Sequence, residues 1–312
     1  MENLILSLNV VLPLFITMTL GYFLKSIKML DKKLLDSMNT IVFKIFLPLL
    51  LFNNIYKTDL DGALNIELLS FSFIAVVGSF LVITFVIPLI EKDNKKRGVM
   101  IQGIFRSNFV IFGLTVASSM YDETKVGIIA ILVAIIVPTF NVLAVICLEI
   151  FRGGKLNIKQ LIKGIITNPL IIASAIGIVF LYFNIKLPIA LEKSISDISK
   201  IATPLSLILL GGSFAFSDVK THLKQMTITT LGRLVILPGI MIPISVFMGF
   251  RGIDLLGILL IFASPTAVSS FTMAQKMDGD SDLAAQIVVF TSAFSILTVF
   301  LWIFVLKYFM LI

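Results

Sequence analysis

Two short polar clusters interrupt long apolar stretches of this sequence, and their side chains together could bind an anion. The first cluster lies near residue 107 and comprises Arg106, Ser107 and Asn108. The second lies about 156 residues later and comprises Ser264, Pro265, Thr266, Ser269 and Ser270. A guanidinium carries a permanent positive charge, and hydroxyl and amide groups donate hydrogen bonds. All eight are therefore candidate substrate-binding residues for an anion.

The composition indicates that lipid, rather than water, surrounds most of this chain. Hydrophobic residues make up 58% of the sequence and charged residues 14%, and the mean hydropathy is +1.07. A water-soluble surface needs more charge than this. Ten apolar stretches are each long enough for a helix to cross a bilayer core of about 30 Å. They are Leu4–Leu24, Leu34–Ile55, Ile66–Ile90, Gly98–Met120, Val126–Ile150, Leu161–Tyr182, Pro188–Phe216, Met226–Phe250, Ile253–Met273 and Leu283–Leu306.

Basic residues between the predicted spans indicate how the chain is oriented. The net charge is +7, but the basic residues lie in short connections and form no continuous stripe, so no nucleic-acid partner is expected. Fifteen of them fall on one side of the predicted membrane and six on the other. The positive-inside rule then predicts a multi-pass protein of the cell (plasma) membrane with both termini outside.

An internal repeat relates the two halves of the sequence. An offset of 156 residues aligns Pro13 with Pro169, Gly21 with Gly177, Pro48 with Pro204, and Lys44 with Lys200. The predicted domains are therefore 1–156 and 157–312, each of them a five-helix repeat. Because five is odd, the second repeat enters the membrane from the opposite side, so the repeats are inverted. Two inverted halves can open alternately to each face, which indicates a secondary transporter.

The two polar clusters are predicted to break spans 4 and 9 at the point where these helices cross. Pro265 removes a backbone donor and Gly113 follows the first cluster, so both are predicted helix breaks, as are Pro48 and Pro204 in spans 2 and 7. The N-termini of the half-helices would direct partial positive charge at one site near the midplane, which favours a carboxylate. The alternative is that these small residues only allow close helix packing.

Basic side chains inside the spans admit two interpretations. Arg106 lies eight residues into span 4, about 12 Å from its inner edge, and is expected to be a counter-charge for the anion. Its alternative is a structural role, bonding carbonyls freed in the neighbouring helix. Lys44 and Lys200 each precede a repeat-related proline by one turn, and they either attract anions at the two entrances or extend to the interface. Arg233, seven residues into span 8, is expected to reach lipid headgroups.

The sequence lacks the residues that several classes of protein need for their function. No aspartate or glutamate lies in the middle of a predicted span, which disfavours cation transport. The sequence has no phosphate-binding glycine loop and no catalytic constellation, so we expect neither an enzyme nor an ATP-driven pump, and no cofactor. Cys147 is expected to pack within span 5, and His222 to be a solvated loop residue, so no metal site is predicted.

These residues make the sequence similar to the auxin efflux carrier family. That family includes bacterial malate and malonate permease-like members and, more distantly, the plant PIN carriers. The resemblance covers nearly the whole length. It rests on three groups of residues, namely Asn168-Pro169 with Gly177, Arg106-Ser107-Asn108 with Gly113, and Ala263-Ser264-Pro265 followed by Gln286 through Thr298.

The resemblance implies an all-α integral membrane fold of ten transmembrane helices. These would form two inverted five-helix repeats with crossing broken helices 4 and 9, as in NhaA and the bile-acid symporters. It also implies a scaffold of helices 1, 2, 6 and 7, a transport domain of helices 3–5 and 8–10, an elevator mechanism and a homodimer. In the family the asparagine at the span 4 break faces the substrate carboxylate, and here that asparagine is Asn108.

The sequence therefore predicts a secondary transporter of small organic anions. The expected substrates are mono- or dicarboxylates, such as malate, malonate or auxin-like weak acids. An inside-negative potential favours export of an anion without a coupling ion, whereas uptake needs one, and a proton is the expected choice. Two alternatives stay open, which are a sodium-coupled bile-acid-type symporter and a membrane-embedded anion sensor.

Overall fold

Helices form nearly all the regular structure of this chain, as a computed structural model describes it for residues 2–57, 65–152, 158–214 and 221–312. Within these ranges there are sixteen α-helices and one isolated β-bridge, so the all-α prediction is confirmed. The predicted boundary at 156/157 and the predicted end of span 7 at Phe216 lie outside the described residues. In chain order the helices are α1 (Glu2–Ser26), α2 (Lys32–Ile41), α3 (Leu47–Tyr56), α4 (Ile66–Ile90), α5 (Asn94–Phe105), α6 (Phe109–Met120), α7 (Glu123–Ile150), α8 (Ile158–Ile166), α9 (Pro169–Tyr182), α10 (Ile189–Ser199), α11 (Ala202–Ser213), α12 (Leu223–Leu231), α13 (Leu237–Phe247), α14 (Gly252–Ala263), α15 (Ser269–Lys276) and α16 (Ser281–Tyr308).

Six helical stretches among the described residues are long and apolar enough to cross a bilayer. They are Lys32–Tyr56, Ile66–Ile90, Val126–Ile150, Ile189–Ser213, Leu223–Phe247 and Ser281–Tyr308. Shorter apolar helices accompany them, at Val11–Ser26, Phe109–Met120, Pro169–Tyr182 and Gly252–Ala263. The shorter helices include one half of each span that the polar clusters interrupt.

Two of the long helices contain a π-helical turn directly before a proline. The turns are Val42–Phe46, ahead of Pro48, and Gly232–Ile236, ahead of Pro238. In the first, the Leu47 N–H donates to the Val42 carbonyl five residues back, so the helix widens instead of ending. The prediction that Pro48 breaks its helix is therefore wrong. The helix continues through the wider π-helical turn, although proline has no backbone N–H to donate.

The other predicted breaks have different outcomes. Pro204 lies in the first turn of α11, just after the helix is interrupted at residues 200 and 201, and Pro265 lies in the non-helical segment between α14 and α15. Gly113 lies inside the continuous helix α6, so its prediction as a break is wrong. A Cβ at Gly113 would come 2.8 Å from the Phe109 ring, so this position needs a small residue for packing instead.

Backbone contact between helices is closest where α1 crosses α11. A Cβ added at Gly21 would lie 2.0 Å from the Ile208 carbonyl oxygen, and one at Gly211 would lie 1.9 Å from that of Met18. Only glycine allows two helix backbones to approach so closely. Helices α3 and α9 form a similar pair, in which Gly177 faces the Ile55 side chain.

The two interrupted spans lie at the centre of the molecule. Residues 98–105 of α5 and residues 255–263 of α14 are all buried. Each span then leaves the helical conformation for a few residues, at 106–108 and at 264–268, before α6 and α15 begin. Both polar clusters that the sequence singled out therefore lie in non-helical backbone, or next to it, in the interior of the protein.

Candidate substrate-binding site

The two non-helical segments pair with each other in an antiparallel arrangement. Ser107 forms a β-bridge with Thr266, and the Asn108 N–H donates to the Pro265 carbonyl over 2.7 Å. The Thr266 hydroxyl donates to the Gly103 carbonyl over 2.7 Å. These bonds satisfy backbone groups that the helix breaks set free, which is the condition for irregular backbone at membrane depth.

Arg106 reaches from the first segment to the second half of the other interrupted span. It is 4% exposed, and its Nη2 donates to Asn141 Oδ1 over 2.6 Å and to Ser269 Oγ over 2.7 Å. Its Nη1 lies 2.9 Å from Met273 Sδ and 3.4 Å from Ser270 Oγ. These partners are all neutral, and no carboxylate among the described residues forms an ion pair with Arg106. Within the described parts of the chain, this buried positive charge therefore has no counter-ion.

A cavity of about 100 Å³ adjoins this guanidinium. Its size is sufficient for several water molecules or a small organic group. Both non-helical segments contribute to its wall, as do α3, α7, α9 and α11. The predicted site residues that line it are Arg106, Ser107, Asn108 and Ser269. The remaining members of the second cluster are buried behind this wall, and they are Ser264, Pro265, Thr266 and Ser270.

Two polar atoms of residues in the cavity wall have no partner among the described residues. The Asn108 Nδ2 and the Ser107 Oγ are buried, and neither has a hydrogen-bond partner in the described parts of the chain. Asn108 precedes α6, but its side chain does not cap that helix. A buried amide without a partner costs free energy, and a carboxylate in the cavity would recover it. The positive ends of α6 and α15 add to the attraction for an anion.

Lys44 and Lys200 lie away from this cavity. Lys44 is exposed in the π-helical turn of its span, and Lys200 is exposed beyond the end of α10. The Lys200 Nζ is 2.9 Å from Asp197 Oδ1. Neither lysine lines the cavity, and their role at the entrances stays a prediction.

The prediction that Arg233 reaches lipid headgroups is wrong. Its side chain is fully buried, and it bonds the backbone where α5 and α14 end. A depth of seven residues, about 10 Å, is compatible with reaching the interface, but it does not show which side of the helix faces lipid. One feature of the sequence does point to a buried arginine, because Arg233 lies five residues before Pro238, in a helix that proline distorts.

His222 is also not the solvated loop residue that we predicted. It is 7% exposed, and its Nε2 lies 3.4 Å from an oxygen of Asp280, the residue that caps α16. It does not line the cavity, and the described residues contain no cluster of three or more potential metal ligands. The histidine therefore joins α12 to the start of α16.

The sequence is similar to known membrane proteins over nearly its whole length. The family model described as "Membrane transport protein" matches residues 6–303. An uncharacterized transporter of Methanocaldococcus jannaschii is 24% identical over 309 residues, which cover 95% of this chain and 98% of that protein. An uncharacterized transporter of Methanothermobacter thermautotrophicus is 25% identical over 309 residues, covering 95% and 97%.

Proposed function

The chain belongs to the membrane transport protein family, the auxin efflux carrier family that its sequence resembles, and from this premise we propose a secondary transporter of small organic anions. The proposed substrates are mono- or dicarboxylates, including malate, malonate and auxin-like weak acids. The protein is a multi-pass membrane protein. We propose that it lies in the cell membrane with both termini outside, as the distribution of basic residues predicts.

Arg106 is the main support for an anionic substrate. Its charge is buried beside a cavity, and every group that it contacts in the described chain is neutral. A cationic substrate would meet repulsion there, and a neutral one would leave the charge without compensation. A carboxylate can accept hydrogen bonds from the guanidinium, from the Asn108 amide and from the Ser107 hydroxyl at once, so it fits the donors that line the cavity.

The cavity wall supports the proposal of two inverted repeats. Three pairs of lining residues obey the same offset of 156, and they are Leu47 with Thr203, Leu50 with Ser206, and Ile111 with Ala267. The offset also relates the two glycine-packed helix pairs, since it carries Gly21 of α1 onto Gly177 of α9, and Ile55 of α3 onto Gly211 of α11. A site on a pseudo-two-fold axis can face either side of the membrane when the two halves exchange conformations.

We propose ten transmembrane spans, with α5 and α6 together forming span 4 and α14 and α15 forming span 9. The repeats are 1–156 and 157–312. Spans 1, 2, 6 and 7 form the scaffold, and spans 3–5 and 8–10 form a transport domain that moves as an elevator in a homodimer. Close packing of α1 on α11 and of α3 on α9 supports a rigid scaffold, because all four helices belong to it.

Flux in proteoliposomes tests the proposal. Purified wild-type protein, Arg106→Ala and Asn108→Ala are compared for uptake and counterflow of labelled malate, malonate and a monocarboxylate. At substrate concentrations below saturation, we expect saturable flux by the wild type to fall at least roughly fivefold in Asn108→Ala and further in Arg106→Ala. Variants that accumulate carboxylates as well as the wild type would contradict the proposed site.

The same vesicles distinguish the two alternatives and the energy source. Strict dependence of uptake on sodium would indicate a bile-acid-type symporter, and ligand binding without flux would indicate a sensor. Uptake that follows an imposed proton gradient would support proton coupling. Export driven only by an inside-negative potential would support a uniporter, since that potential contributes about 2.3 kcal/mol per charge per 100 mV.

A further inference from the structure

Arg233 binds the carboxyl ends of α5 and α14, the first half-helices of the two interrupted spans, at the same time. Its Nη2 donates to the Ile261 carbonyl over 2.6 Å and its Nε to the Ser264 carbonyl over 2.7 Å, at the end of α14. Its Nη1 lies 3.0 Å from the Ile104 carbonyl oxygen and 3.2 Å from that of Phe105, at the end of α5. One side chain thus provides a partner for four carbonyl oxygens that the breaks leave inside the protein.

The charges at this point balance. The C-terminus of a helix carries about half a negative elementary charge, so two such ends together carry about one. The single positive charge of Arg233 offsets it. Among the described residues no carboxylate pairs with Arg233, so the helix ends are its only anionic partners there. The two helix ends therefore compensate the charge of Arg233, whereas the partners of Arg106 are neutral.

The local backbone holds the Arg233 side chain in this position. Arg233 lies in the π-helical turn, where Gly232 packs closely on Ile104 of α5. The next residue, Leu234, has its carbonyl bonded over 3.1 Å by the indole N–H of Trp302 on α16. The distorted turn is thus fixed from two sides, and the guanidinium is placed before any ligand arrives.

We propose that the meeting point of α5 and α14 is a monovalent cation site that the guanidinium of Arg233 occupies permanently. Carbonyls at unwound backbone and at half-helix C-termini are the groups that bind a coupling Na⁺ in transporters with broken helices. Here the same kind of oxygens are bound by a side chain. The consequence for coupling rests on the proposed function: this carrier needs no free cation at the crossing.

Removal of the side chain tests the site directly, through thermal unfolding of purified protein in detergent. Arg233→Ala is expected to lower the Tm by about 10 °C, because it leaves buried carbonyls without a partner. Guanidinium chloride, at concentrations on the order of 1–10 mM and far below those that denature, is expected to restore part of the loss in a saturable way. Choline chloride at equal ionic strength should not. A folded alanine variant with no saturable rescue by guanidinium or Na⁺ would overturn the proposal.

A second comparison applies even where the alanine variant does not fold. Arg233→Lys keeps the charge and reaches fewer carbonyls, whereas Arg233→Gln keeps donors without charge. We expect the Tm to fall in the order wild type, lysine, glutamine. A lysine variant no more stable than the glutamine variant would overturn the proposal, because a cation site requires the charge.

Arg251 offers a matched control. Its Nη1 also donates to carbonyls at the end of a helix, those of Val246 and Phe250, but the residue is exposed. Arg251→Ala should change the Tm little and show no guanidinium effect. These measurements involve no flux. The Arg233 site can therefore be refuted while carboxylate transport is supported, and carboxylate transport can be refuted while the site is supported. Wild-type flux that requires Na⁺ would refute only the statement on coupling.

Discussion

Replacement of Arg106 by glutamine is expected to weaken carboxylate binding while it leaves the substrate-free protein as stable as before. In the absence of an anion the guanidinium is a buried charge with neutral partners, which is costly to bury. Glutamine removes that charge and keeps an amide that can still bond Asn141 or Ser269. A loss of affinity without a loss of stability separates a binding role from a structural one.

The size of the binding effect follows from the charge. A carboxylate about 4 Å from the guanidinium, at an effective dielectric constant of about 20, gains about 4 kcal/mol from the pair. Hydrogen bonds from the glutamine amide would recover part of this, so the net loss should be about 2–4 kcal/mol. That corresponds to an affinity roughly 30- to 700-fold weaker.

Two measurements on the same preparation check this prediction. Competition binding with a labelled dicarboxylate gives the Kd of the wild type, Arg106→Gln and Arg106→Lys, and the Tm without ligand gives their stability. The lysine variant should lose less affinity than the glutamine variant, since it keeps the charge but not the forked geometry. Wild-type affinity in a folded Arg106→Gln protein would refute the assignment. A fall in Tm as large as that expected for Arg233→Gln would show instead that Arg106 is structural.

Substitutions at Asn108, Gly211 and Gln275 test other parts of the proposal. Asn108→Ala should lose one hydrogen bond to the anion, which costs about 1–2 kcal/mol or roughly 5- to 30-fold in Kd. Asn108→Asp should abolish binding, because its carboxylate repels the anion. Equal affinities for the wild type and both variants would exclude contact between Asn108 and the substrate. Gly211→Ala should lower the Tm by several degrees because the α1 backbone is in contact there, whereas Gly78→Ala, with no atom within 4 Å, should not, and equal melting temperatures would show that α1 and α11 can separate. Gln275→Ala removes a bond of 2.8 Å to Asp36 and a second bond from Asn39, both of which join α15 to α2, and it leaves the bond from Lys276 to the Asp36 carbonyl in place. The proposed movement of the transport domain, and with it the flux, should become faster. Unchanged flux and unchanged protease accessibility would show that these contacts do not limit motion.

The position of the polar clusters was predictable from the sequence for a physical reason. Polar residues in the middle of an apolar span are expensive in lipid, so they occur where the chain turns inward and their groups find partners. That reasoning placed Arg106, Ser107 and Asn108 in one site with Ser269, and these four residues do line one cavity. Length and hydropathy likewise predicted the all-helical fold, because only helices satisfy their own backbone at such lengths.

The direction in which each side chain points could not be predicted in the same way. In a soluble protein the polar face of a helix shows which side is outside, but a helix between lipid and protein is apolar all round. The sequence therefore gave the depth of Arg233 but not its rotation about the helix axis, and the interpretation as a headgroup contact was wrong. Only the packing of α5, α14 and the π-helical turn decides that this guanidinium faces four carbonyls.

The two buried arginines show most clearly what the sequence by itself determined and what it did not. Its apolar composition determined a helical membrane protein, and its two polar clusters marked where long spans are interrupted. It also marked Arg106 as a charge too deep to reach water. The tertiary structure alone decided that the freed carbonyls bind Arg233, which leaves the charge of Arg106 available beside a cavity. The reason is that compensation of charge depends on distances between atoms far apart in the chain, and hydropathy along one helix carries no information about them.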